Sequence, residues 1–102
     1  MITYGGKNYV LKYNMKRIEL IEGVTNMPTL ADLQRTRGLL SLASLKTYVA
    51  YGIKEDGADV FLNPKKGMEI AESLIESNGY PDVCAIVLEA LERDCPFFFQ
   101  EG

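Results

Sequence analysis

Residues 2–13 read Ile2-Thr3-Tyr4-Gly5-Gly6-Lys7-Asn8-Tyr9-Val10-Leu11-Lys12-Tyr13. Ile2, Tyr4, Tyr9, Leu11 and Tyr13 alternate with polar or small residues on either side of the glycine pair. Alternation at a period of two marks a half-buried strand, and paired glycines supply the positive φ angles of a tight turn, so the stretch predicts a β-hairpin over 2–13. A lone hairpin is marginal in water. Its tyrosines, Tyr4, Tyr9 and Tyr13, either pack on the helices that follow or form a binding platform; packing is preferred, and the two are compatible.

Outward from the hairpin the period changes to that of helices. Asn14 is a capping residue before Met15, Ile18 and Ile21, with Gly23 as the expected stop. After Asn26-Met27-Pro28, Thr29 with Asp32 three residues on opens a second helix carrying Leu30, Leu33 and Leu40. Gly38 either breaks it, leaving a separate helix from Ser41 to Ile53 with Leu42, Leu45 and Val49 inward, or residues 29–53 run on as one. Glu55-Asp56-Gly57-Ala58-Asp59 is a polar turn, and Val60-Phe61-Leu62 a short apolar link expected to pack in the core. Asn63-Pro64, a cap followed by proline at the first helical position, starts a helix through Met68, Ala71, Leu74 and Ile75 to Gly79. The last helix begins near Pro81, places Val83, Ile86, Val87, Ala90 and Leu91 on one stripe, and ends before Pro96. The expected fold is α+β, mostly α: an N-terminal hairpin (2–13), a helical body (14–94) of four or five short helices around one core, and an apolar tail (95–102).

Composition narrows the classes. At 102 residues the chain is a single domain, 1–102, whose modest core leaves room for self-association or a partner. With 47% hydrophobic and 25% charged residues it falls outside the polar, highly charged range of disordered chains. A net charge of -3 and a pI near 4.9 give no bulk attraction to nucleic acid. Arg17, Arg35, Arg37, Lys46, Lys65 and Lys66 are spread over several elements among acids and are taken as ordinary surface. The N-terminus has neither the basic start nor the apolar run of a signal peptide, and no stretch has the length of a membrane span.

No histidine is present, so the usual general base for a serine or cysteine nucleophile is missing, and an enzyme is not expected. Cys84 and Cys95 have no metal-site spacing and lie too far apart along one helix to bridge; reduced thiols are expected, in a cytosolic setting. Gly5-Gly6-Lys7 lacks the spacing of a phosphate loop, and Glu55, Asp56 and Asp59 lack the pattern of a calcium loop. No metal or cofactor is called for.

The tail Pro96-Phe97-Phe98-Phe99-Gln100-Glu101-Gly102 fits a solvated terminus poorly, because three consecutive large apolar side chains near a chain end are seldom all buried by one small domain. Phe97, Phe98 and Phe99 are therefore expected to dock on another subunit or a client. Tyr48 and Tyr51, at the end of the central helix, pose the choice between packing and contact again; packing is preferred, and both are kept as candidate contact residues.

The opening residues 2–13, the short helix through Lys16-Arg17-Ile18-Glu19-Leu20-Ile21-Glu22, the leucine-rich middle ending in Leu45 to Gly52, the helix opened by Asn63-Pro64 and the last helix through Val87-Leu88-Glu89-Ala90-Leu91-Glu92 together resemble the tail assembly chaperones of long-tailed bacteriophages. The likeness lies in the order and size of the elements along nearly the whole chain. It implies a non-enzymatic protein of the host bacterial cytoplasm that binds the tape-measure protein, helps recruit the tail-tube protein, self-associates weakly and is absent from the mature virion. Exposed apolar surface would then cover the client. The final stripe, Val83 and Val87 in particular, and Phe97 to Phe99 are the candidates. The family is often made in a second, frameshifted form, and the phenylalanine run must be encoded by a uridine-rich stretch. The rivals are a phage head-tail connector or other small structural subunit, and a small helical DNA-binding regulator, against which the acidic balance counts.

Overall fold

A computed structural model describes residues 2–99. Strand β1 (Ile2–Tyr4) and strand β2 (Lys7–Leu11) form the expected hairpin, pairing Ile2 with Tyr9 and Tyr4 with Lys7 around Gly5 and Gly6, both at positive φ. Ile2, Tyr9, Leu11 and Tyr13 are buried and Tyr4 is half-buried, so the aromatic side of the hairpin covers the helices.

Five helices follow: α1 (Met15–Thr25), α2 (Thr29–Thr36), α3 (Leu42–Gly52), α4 (Pro64–Asn78) and α5 (Tyr80–Asp94). The class is α+β and mostly α, as the sequence predicts. The Asn14, Ser41 and Asn63 side chains each accept the backbone N–H three residues on, capping α1, α3 and α4. The open question over residues 29–53 resolves as two helices, with Arg37 and Gly38 both at positive φ between them.

Several local expectations are corrected. A third strand, β3 (Ile53–Glu55), follows α3 directly and pairs antiparallel with β2, Leu11 opposite Ile53. Ile53 and Glu55 are therefore strand, not helix end and turn. Helix α1 runs past Gly23 to Thr25, where Asn26 adopts the left-handed conformation and its N–H donates to the Glu22 carbonyl. Thr29 does not cap α2. Its amide donates to Glu22 Oε2 at 2.7 Å, and its hydroxyl serves the core. Leu42 and Val60, both expected inward, are 57% and 72% exposed, and Met15, which shares the helical repeat of the buried Ile18 and Ile21, is 64% exposed. Val60 sits in the loop after β3, where only Phe61 and Leu62 turn back toward the protein, Phe61 bridging to Lys54.

Helix α3 is the centre. Leu45, Tyr48, Val49 and Ala50 are wholly buried, with α1, α4 and α5 packed around them. The crossing with α4 is close because Gly67 faces Ala50: a methyl group at Gly67 would collide with the Ala50 carbonyl oxygen and stand 2.9 Å from its Cα.

At the other side, Asp94 locks α5 to the hairpin. Its buried carboxylate accepts the Tyr13 amide at 2.9 Å, Lys12 Nζ at 3.3 Å and Arg93 Nε at 2.8 Å, while Arg93 Nη2 donates to the Leu11 carbonyl. Burial alone would raise the Asp94 pKa. The hydrogen bonds from Arg93, Tyr13 and Lys12 outweigh it and bring it from 3.8 down to about 2.

Two outcomes follow from these contacts. Gly67→Ala should lower the unfolding free energy by about 1–3 kcal/mol in a denaturant titration, because the obstacle is backbone and cannot move aside. A depressed carboxylate contributes stability above its unfolded pKa and loses it on acidification. The thermal midpoint of the wild type should therefore fall as pH drops from about 4 toward 2, and Asp94→Asn, already weakened at neutral pH, should show a flatter fall over that window.

Candidate protein-binding surface

Helix α5 turns Val83, Cys84, Val87, Ala90 and Leu91 into the core. Val87 is followed by a second leucine, so the apolar face is wider than the buried stripe, and Leu88 emerges half-buried at its edge toward α2. There it lies beside Gly38, whose ideal Cβ position is 3.6 Å from Leu88 Cδ2. On α2, Leu33 points inward and Leu30 is 37% exposed.

The chain leaves α5 at Cys95, which is buried, and Pro96 opens a single 3-10 turn, Pro96–Phe98. The turn is closed by the Phe98 amide on the Cys95 carbonyl at 3.1 Å and the Phe99 amide on the Pro96 carbonyl at 2.9 Å. It folds Phe98 back against the core and leaves Phe97 and Phe99 42% and 40% exposed, with the Phe97 and Phe98 ring centroids 4.8 Å apart. Phe98 and Phe99 then complete a shallow groove of about 300 Å³ with Leu30, Leu33 and Leu88. Gln34, Gly38 and Arg37 make up the rest of its lining, and Arg37 is the one charged residue.

Of the seven residues expected at a contact surface, the structure gathers only Phe97, Phe98 and Phe99 there. Val83, Val87 and Tyr48 have no exposed surface and belong to the core, which removes them as contact residues of the folded chain. Tyr51 is half-buried and engaged elsewhere: its carbonyl accepts Arg17 Nε at 2.8 Å, and the Arg17 guanidinium lies 4.2 Å from the Phe61 ring centroid and 5.7 Å from that of Tyr51. Leu30, Leu88 and Arg37 were not singled out by the sequence for contact. The doubled apolar pair Val87-Leu88 is the signal that points to one of them.

In two other clefts several polar groups are already engaged within the fold. Between the hairpin and α5, about 200 Å³ is lined in part by Ile2, Leu11, Ile86 and Arg93, and the arginine is held by Asp94 and Leu11. Near the start of α3, the buried Asp32 carboxylate pairs with Arg35 at 3.3 Å, Ser41 caps the helix, and the Thr47 hydroxyl donates to the Ala43 carbonyl. Among the described residues no group of three or more His, Cys, Asp or Glu converges as a metal site, and no helix is long and apolar enough to cross a membrane. No protein-family model, curated protein or solved structure matches the chain.

The tail residues should separate by role. Phe97→Ser and Phe99→Ser are expected to shift the unfolding free energy by no more than about 0.5 kcal/mol, as surface changes do. Phe98→Ser, which uncovers part of the core, should cost about 1 kcal/mol or more. Denaturant melts of the three variants check this.

Proposed function

We infer that this protein is a tail assembly chaperone of a long-tailed bacteriophage or prophage. In this role it binds the tape-measure protein in the host bacterial cytoplasm, helps recruit tail-tube subunits and is left out of the finished particle. The work is holding, not catalysis. The observation that carries the proposal is the groove of Leu30, Leu33, Leu88, Phe98 and Phe99 with exposed Phe97 beside it: large apolar side chains on a small acidic domain, at the place where the three consecutive phenylalanines lie. Surface of this kind is costly to leave wet and marks contact with another chain. The order of hairpin and helices, which resembles that family, supplies the identity of the client.

A holder of a long client works through many weak contacts, so weak self-association belongs to the same proposal. The test is co-expression with the long helical protein encoded in the same gene neighbourhood. The expected outcome is that the client becomes soluble and copurifies with this chain, and that mass spectrometry of purified particles detects the client without it. Finding the chain in particles at a fixed stoichiometry would replace the proposal with a structural subunit such as a head-tail connector. Retention on DNA that falls steeply with salt would replace it with a DNA-binding regulator.

A further inference from the structure

We propose that the groove between α2 and α5 takes an amphipathic helix of a different protein carrying an acidic residue beside its apolar stripe, and that Arg37 recognises that acid. The inference rests on the chaperone proposal for the identity of the client, but the groove's chemistry stands without it.

The walls come from two helices and a 3-10 turn, with no strand edge among the lining residues. An extended peptide would therefore gain no ladder of backbone hydrogen bonds there, whereas a helix satisfies its own backbone and offers apolar side chains one turn apart. Five large apolar side chains line the groove and leave room for a pair of leucine-sized anchors in its volume of about 300 Å³.

Charge then selects the partner. Arg37 is the only ionised group in the lining, and among the described residues it makes neither an ion pair nor a side-chain hydrogen bond, whereas Arg35 two positions earlier is paired with Asp32. A second copy docked face to face on the same groove would bring Arg37 toward its counterpart with no acid in either lining, so a two-fold self-contact is disfavoured. A helix presenting Asp or Glu at the rim meets the guanidinium with a fitting charge.

Backbone geometry adds a separate argument. Arg37 closes α2 at φ 56°, in the left-handed region where glycine or asparagine is the comfortable choice, and its amide donates to the Leu33 carbonyl. An arginine there is strained, and such strain is found at binding sites where the side chain has a task.

The probes are two synthetic helices of about 20 residues, long enough to hold helical structure, identical except that a Glu beside the apolar stripe of one is Lys in the other. Their affinities for the full chain are read by fluorescence anisotropy. Wild type should prefer the Glu helix by on the order of fivefold, Arg37→Glu should reverse the preference, and Leu30→Ser or Phe99→Ser should weaken both helices. Arg37→Gly should lose the preference while its thermal midpoint stays the same or rises, which a purely structural arginine would not allow. Equal affinities, a preference untouched by Arg37→Glu, or no binding of either helix would overturn the assignment. If the groove behaves as expected but the neighbouring long protein is not held, the chaperone proposal fails alone; if that protein is held equally well by Arg37→Glu and Leu30→Ser, the groove fails alone.

Discussion

Tyr48 of α3 donates its phenolic hydrogen to Thr29 Oγ1 at 2.9 Å, while the Tyr48 carbonyl accepts the Tyr13 hydroxyl at 2.8 Å. All three residues are buried, and the two rings meet edge to face with centroids 6.4 Å apart. The relay joins the end of the hairpin, the central helix and the first residue of α2. A buried hydroxyl that loses its partner costs about 1–3 kcal/mol, so each of the three segments is held where the others need it. Both phenols are neutral donors at physiological pH, and burial extends that into the alkaline range: it pushes Tyr48 up to about 12, against the opposing pull of the Thr29 hydrogen bond, and Tyr13 well above its ordinary value.

The groove depends on that relay because α2 has little else to fix it. It is short, lacks a side-chain cap of its own, and borrows the Glu22 carboxylate from α1 for its first amide. With Thr29 pinned, Leu33 enters the core and Leu30 and Arg37 are left facing Leu88. The opposite wall is anchored independently, since α5 is tied to the hairpin through Asp94 and Arg93 and its continuation folds back through Cys95 and Phe98. A weakly fastened wall against a firmly fastened one suits a surface that must admit a side chain from elsewhere.

Where local chemistry decides the backbone, the sequence was legible. Gly5-Gly6 between alternating apolar residues, Asn14 before Met15 and Asn63-Pro64 each specify an element through a turn or cap that needs no distant partner. Strand β3 was hidden because Ile53-Lys54-Glu55 carries no strand pattern of its own; it is a strand only because β2 offers an edge at the point where α3 ends. Leu42 and Val60 were misplaced for a related reason, since hydrophobicity says that a side chain gains from burial but not that the fold supplies a neighbour. The candidate surface divided along the same line. Three adjacent phenylalanines near a chain end announce themselves by composition, whereas Val83, Val87 and Tyr48 are ordinary core once α5 and α3 are packed. In the sequence Arg37 reads as one of several scattered surface charges; its left-handed backbone and its place among leucines and phenylalanines are properties of the fold alone.

The central claim is that this domain holds a helical client in the groove formed by α2, α5 and the turn at Phe98. Methyl-labelled NMR spectra recorded with and without the long helical protein of the same gene neighbourhood test it most directly. Shifts concentrated on Leu30, Leu33 and Leu88, with Leu11 and Ile2 on the hairpin unchanged, are the predicted result. Shifts centred on the hairpin or α4, with those three leucines silent, would contradict it.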